Sequence, residues 1–154
     1  MVDQSVLDYC NNLTSLGIEN TILEHRPARE IEDVLHSLNL SLADCIPTLI
    51  MQADKNCIAV LIRGDTRANF KKIKKVCAVK DLRMATPEEL FQVTRLPPGV
   101  ARVYTPNLKT IIDTKVFEQA YLTGGSGRFD CSIRVKTADL KNIPDCMVAD
   151  IHQD

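Results

Sequence analysis

The sequence predicts an α/β (α+β) domain in which a mixed β-sheet carries helices packed against it. Three observations predict it. Ile31, Val34, Leu35 and Leu38 recur at i, i+3, i+4, i+7, the stripe of an amphipathic helix. Two apolar runs, Thr48–Ala53 and Cys57–Ile62, flank the polar Asp54-Lys55-Asn56 and read as a hairpin buried on both faces. Strand-like and helix-like segments then alternate without a strict βαβ rhythm, which favours a mixed sheet over a parallel one.

The other elements follow in order. Val6, Leu7, Cys10 and Leu13 sit at helical spacing, and Gly17 is a stop signal. Residues 18–25 read as a short strand ended by Pro27. Gly64-Asp65-Thr66 opens a basic helix, with Phe70, Ile73, Val76 and Cys77 inward and Lys71, Lys72, Lys74 and Lys75 outward. Thr86-Pro87-Glu88-Glu89 is a helix start: Thr caps, Pro fits the first turn and Glu89 completes a capping box. Leu96–Val100 must be a loop. Thr110–Ile112 and Ala120–Thr123 read as strands, with a short helical turn from Thr114 between them. Gly124–Gly127 reads as a tight loop. Phe129–Val135 alternates apolar and polar residues with the period of a half-buried strand. A short helix at Thr137–Leu140 and a last strand at Met147–Ala149 complete the chain.

The 154 residues suit one domain, spanning 1–154, with a real hydrophobic core. A hydrophobic fraction of 45% and a charged fraction of 25% argue against disorder. The formal net charge of -1 excludes a surface built to grip duplex DNA, while a contact with one end of an RNA stays open. No apolar run approaches the roughly 20 residues of a membrane span, and no signal peptide is visible. The six cysteines form no C-x-x-C pair, and His25, His36 and His152 fall in no ligand-like spacing. The expectation is a cytoplasmic protein with reduced, mostly buried thiols, no metal and no cofactor.

Few segments carry chemistry. The glycine run Gly124-Gly125-Ser126-Gly127 is neither a Walker loop nor G-x-G-x-x-G. It reads either as a hairpin turn needing positive φ or as backbone that lets N–H groups approach an anionic or ester oxygen. Pro97-Pro98-Gly99-Val100 offers the same two readings. Asp130 follows the glycine run and is either solvated or a ligand for a hydroxyl or ammonium group. The lysine face of the basic helix is either solvated or a phosphate contact. There is no G-x-S-x-G elbow and no H-E-x-x-H.

Together these segments resemble the YbaK/prolyl-tRNA synthetase-associated family over nearly the whole chain. Glu24-His25-Arg26-Pro27-Ala28 looks like its "EH-x-P-A". Ile46-Pro47-Thr48-Leu49-Ile50 resembles its "x-K-T-L" strand, and Phe70-Lys71-Lys72 its "L-K-K". Pro97-Pro98-Gly99-Val100 stands at its "x-x-G-G" loop, and Thr110-Ile111-Ile112-Asp113 matches "x-I-I-D". Tyr121-Leu122-Thr123-Gly124-Gly125 with Asp130 resembles "Y-V-S-G-G … D".

The resemblance implies a mixed, partly curled sheet flanked by helices. It also implies hydrolysis of the ester joining a wrong amino acid to the 3′ end of a tRNA. The attacking group would be water or a neighbouring group of the substrate, held by orientation and oxyanion stabilisation. By the same resemblance Thr123 and Asp130 are the catalytic positions, and Gly124, Gly125, Gly99, Val100, Thr48, Pro47 and Leu23 bind substrate. Lys71, Lys72, Lys74 and Lys75 would contact tRNA, and an aminoacyl-tRNA synthetase would be a further partner.

Two positions depart from the family. Its lysine before Thr-Leu is Pro47 here, and Leu23 replaces a Tyr of some members. Proline has neither charge nor N–H, although it can begin a strand. A charge-assisted contact is worth roughly 1.5–3 kcal/mol, so its loss costs ~10- to 100-fold or more unless Lys55, Arg63 or Arg128 replaces it in space. Two readings stay open: a deacylase with altered amino-acid preference, and a binding module of the same fold without turnover. A small-molecule hydrolase would need a nucleophile that the motifs do not reveal.

Overall fold

A computed structural model describes residues 2–154. The helices are α1 (Gln4–Ser15), α2 (Ile31–Leu38), α3 (Phe70–Cys77) and α4 (Pro87–Thr94). The strands are β1 (Asn20–Glu24), β2 (Thr48–Ala53), β3 (Asn56–Leu61), β4 (Leu82–Met84), β5 (Lys109–Asp113), β6 (Tyr121–Gly125), β7 (Cys131–Lys136) and β8 (Cys146–Ala149). Short 3-10 turns lie at Leu42–Asp44, Thr114–Glu118 and Thr137–Asn142.

The expected mixed sheet is five-stranded, in the order β4-β2-β3-β5-β8. Its β2–β3 hairpin is antiparallel, and β5 runs parallel to both β3 and β8. A second sheet accompanies it, antiparallel, in the order β1-β7-β6. Neither sheet closes into a barrel. They meet at β6, where Thr123 bridges to Cys45, just ahead of β2, and Gly125 bridges to Arg102.

Local chemistry explains most boundaries. Asp54 takes a left-handed φ of 53° in the hairpin turn, a conformation Asp tolerates. Thr86 and Glu89 form the expected capping box of α4. The Asp3 side chain accepts the Ser5 N–H and starts α1. Its apolar face, Val6, Tyr9, Cys10 and Leu13, joins Ile112, Leu122, Ile133 and Val135 in one core. A second core lies between α3 and the five-stranded sheet, where Met51, Val60, Ile73 and Ile111 are fully buried. Each such side chain contributes about 1.5–3 kcal/mol by leaving water.

Several boundaries differ from the sequence reading. The basic helix starts at Phe70, not after Gly64. Residues 67–69 pair instead with the C-terminal segment: Ala68 bridges to His152, and the Asn69 N–H donates to the Ile151 carbonyl at 2.7 Å. Asn69 then caps the helix by accepting the Lys72 N–H at 3.1 Å. Of the expected inner face only Ile73 is fully buried, and Phe70 is exposed. β7 begins at Cys131, two residues later than Phe129. Gly124 and Gly125 belong to β6, so the turn falls at residues 126–130, with Gly127 at φ 92°. All six cysteines are free; Cys10, Cys45 and Cys131 are buried and the other three half-buried.

Candidate active site

The seam between the two sheets is built by glycine. An added Cβ at Gly125 would run into the Ala101 carbonyl. One at Gly124 would stand 2.5 Å from Val103 Cγ2 and 3.0 Å from the Ile46 carbonyl. Two chain segments therefore lie flat against β6, with the Ile46 N–H donating to the Thr123 carbonyl at 2.9 Å. Gly99 is needed for its φ of 96°, in the loop that leads to this contact.

Beside the seam lies a cavity of about 290 Å³. Its wall brings together Pro47, Thr48, Gly99, Thr123, Gly124 and Gly125, six of the residues expected to bind or act on substrate. Val100 is buried behind the wall, and its carbonyl accepts the Gly127 N–H at 3.0 Å. Leu23 lies outside the wall but opposes Ser132, a wall residue, across the β1–β7 pair. Asp130 is not in the wall. Its carboxylate pairs with Arg128 at 3.2 Å, and that hydrogen bond holds its pKa below the ordinary carboxylate value.

The wall also contains residues the sequence reading missed. Ala28, Arg29, Ile31 and Val34 come from the segment entering α2 and from its apolar stripe, and Cys45 and Ser132 complete one side. The α2 stripe was legible as a helix face, but nothing in it said that the face covers a cavity. His25, within the "EH-x-P-A" resemblance, stands behind Ser132 with Nε2 2.9 Å from Ser132 Oγ. Thr48 Oγ1 is buried and has no hydrogen-bond partner among the described residues. A buried hydroxyl left so is costly in an empty protein and useful in one that binds a polar group there.

The charge missing at Pro47 does not come from the expected substitutes. Arg63 is held by Asp65 at 2.6 Å and by Glu118 at 3.5 Å. Arg128 is held by Asp130 and, at 3.5 Å, by Asp3. Lys55 lies at the far end of the hairpin, on a separate cleft of about 740 Å³. The cation in the wall is Arg29, whose guanidinium lies 4.6 Å from the centre of the Phe129 ring.

None of the four α3 lysines lines the cavity. Lys72 pairs with Asp150 at 3.0 Å and Asp154 at 3.4 Å, so part of the expected tRNA face is spent on an internal contact. Asp113, Asp150 and His152 gather at the C-terminal end of β5. The Asp113 carboxylate there accepts from the Ile151 and Lys115 N–H groups and contacts His152 Nδ1 at 2.9 Å. No helix among the described residues is long and apolar enough to cross a membrane.

Residues 25–143 match the family described as the aminoacyl-tRNA editing domain. The chain belongs to that family. The proline--tRNA ligase of Endomicrobium trichonymphae is 33% identical to it over 128 residues, 77% of this chain and 22% of the ligase. That of Caldicellulosiruptor saccharolyticus (strain ATCC 43494 / DSM 8903 / Tp8T 6331) is 29% identical over 124 residues, 75% of this chain and 22% of the ligase. The editing domain thus spans less than a quarter of the length of these relatives. A solved structure of a proposed trans-editing enzyme for prolyl tRNA synthetase superposes with a TM-score of 0.85 over 100% of both chains at 18% identity. At that identity the likeness is one of fold.

Proposed function

We propose that this editing domain is an aminoacyl-tRNA deacylase acting in trans in the cytoplasm, alongside an aminoacyl-tRNA synthetase. It takes the 3′ end of a mischarged tRNA into the cavity beside β6 and hydrolyses the ester. The observation that carries this reading is the cavity itself: in a member of the editing family, it gathers Pro47, Thr48, Gly99, Thr123, Gly124 and Gly125 from distant parts of the chain around one small space.

In this reading Arg29 supplies the positive charge that Pro47 cannot. A guanidinium stacked on an aromatic ring keeps its hydrogen-bonding edge for an anionic oxygen, such as a terminal phosphate. Thr48 and Thr123 present hydroxyls to the substrate. Asp130 acts from outside the wall, by holding Arg128. Lys71, Lys74 and Lys75 contact the tRNA body. Moving the charge from the start of β2 to the entry of α2 places it differently against the amino acid, which is the basis for an altered preference.

The test is a panel of mischarged tRNAs incubated with the protein while ester loss is followed. Release above the buffer rate is expected for at least one amino acid, with Arg29→Ala raising KM about 10-fold and leaving kcat nearly unchanged. Buffer-level release for every amino acid overturns the reading. Pro47 itself favours the rival, a binding module without turnover. In that case the tRNA still binds, and Pro47→Lys creates the missing activity.

A further inference from the structure

We propose that Ser132, oriented by His25, accepts a hydrogen bond from the free α-ammonium group of the aminoacyl ester, so that the cavity takes an amino acid in preference to its N-blocked form; this rests on the cavity receiving an aminoacyl end, as in the deacylase reading above. Ser132 is 6% exposed and lies in the cavity wall. Its Oγ is 2.9 Å from His25 Nε2, and His25 Nδ1 is 2.8 Å from the Arg26 carbonyl oxygen. A carbonyl oxygen only accepts, so in the neutral ring Nδ1 carries the proton. Nε2 is left with its lone pair, and the Ser132 hydroxyl donates to it. With its proton directed away, Ser132 offers the cavity lone pairs alone: it can accept there and cannot donate. Donation to the imidazole also polarises the oxygen and strengthens it as an acceptor.

The position of this oxygen suits the acyl end of the substrate. Exposed Arg29, Glu30 and Ile31 mark the mouth of the cavity, while Ala28, Ile46, Thr123 and Ser132 are buried. A phosphate held by Arg29 at the mouth leaves the amino acid to enter first and reach deepest. The α-ammonium group then meets mostly apolar wall, where a cation without an acceptor is costly. Ser132 opposes Leu23 on one side and Gly125 on the other, and shares their sheet face with Thr123. It therefore stands directly across from the glycine strand.

The other polar groups of the wall lack what Ser132 has. Burial pushes the Cys45 thiol up to about 11, and it donates to the Ser41 carbonyl at 3.6 Å, so it stays neutral. Thr48 Oγ1 is buried with no partner among the described residues, so nothing directs its proton away. Glu30 carries the carboxylate of the wall, but at the mouth. Ser132 is a binding group in this arrangement and His25 a positioning residue; neither forms a bond to the substrate carbon.

The test compares a mischarged tRNA with the same tRNA carrying an N-acetylated amino acid. The readout is the ratio of kcat/KM for the free-amino form to that for the N-acetyl form. Losing a charge-assisted hydrogen bond predicts a ratio of at least ~10 for the wild type. Ser132→Ala should lower that ratio ~10-fold or more, and His25→Phe should lower it by a smaller factor. Misfolded protein slows both substrates alike and leaves the ratio unmoved, so a merely structural role is distinguished. A wild-type ratio near 1 overturns the proposal, as does a ratio that either variant leaves unchanged; the second result would mean that the acetyl group is excluded by bulk. Affinity for a tRNA ending in 3′-(alanylamino)-3′-deoxyadenosine, which resists hydrolysis, is measured in parallel with and without N-acetylation. A preference for the free amine that Ser132→Ala removes, in a protein that deacylates nothing, sinks the deacylase reading alone. Turnover without such a preference sinks the role of Ser132 alone.

Discussion

The chain crosses itself closely at two places and closes them by opposite means. At the β6 seam, Gly124 and Gly125 omit side chains so that the Ile46 and Ala101 segments can lie against the strand. At the C-terminal clasp, a fully buried carboxylate does the holding: Asp113 accepts the Ile151 N–H at 2.8 Å and the Lys115 N–H at 3.1 Å, and meets His152. The difference extends to the two histidines. His152 faces a carboxylate and is nearly enclosed, whereas His25 faces a serine hydroxyl in the wall of a cavity. Glycine contact leaves room and an orphaned hydroxyl beside it; the charged clasp satisfies its own groups. The first arrangement suits a ligand site and the second suits anchoring the chain.

Breaking the clasp should have the largest effect on stability. Asp113→Ala strands two backbone N–H groups and the His152 ring in a dry environment. The expected cost is about 3–5 kcal/mol, read as a fall in the urea midpoint at constant slope. A variant within 1 kcal/mol of wild type would show that the segment around residues 150–152 anchors little.

The seam should break by a different route. Gly125→Ala forces a methyl group against the Ala101 carbonyl, a backbone atom that cannot rotate aside. A cost of about 3 kcal/mol is expected, which lowers Tm by roughly 6–12 °C in a chain of this size. Because the same strand forms the cavity wall, substrate binding should fall further than Tm alone predicts, while Asp113→Ala should leave KM unchanged in the folded fraction.

The two regions also differ in how far the sequence displayed them. Elements set by neighbours in the chain were legible: the capping box of Thr86 and Glu89, the β2–β3 hairpin and the stripe of α2. The glycine pair was visible as special, but its reason was not, because Ala101, Val103 and Ile46 meet it only after folding. Read locally, it looked like a turn. His25 and Ser132 are 107 residues apart and join only through the β1–β7 register. Asp130 was placed correctly beside the glycine turn, yet Arg128, two residues away, takes its carboxylate. The resemblance supplied a list of positions; which of them share a wall depends on long-range pairing that no local pattern encodes.

The smallest effect separates the outer layer of the clasp from its core. The hydrogen bond between them raises the pKa of Lys72 and lowers that of Asp150. Asp150 is depressed from 3.8, so its contribution is present above that value and is lost as pH falls through the lower folded pKa. Lys72 is raised from 10.5, so its contribution is complete below that value and is lost as pH rises through the higher folded pKa. The ion pair is therefore whole between about pH 4 and 10 and fades at both ends. Both side chains are partly solvated, so the gain is modest. Lys72→Met should lower Tm at neutral pH by only about 1–3 °C, and it should flatten the decline at both extremes. If tRNA affinity falls as much for Lys72→Met as for Lys71→Glu or Lys75→Glu, Lys72 is not reserved for the clasp, and the α3 face works as one surface.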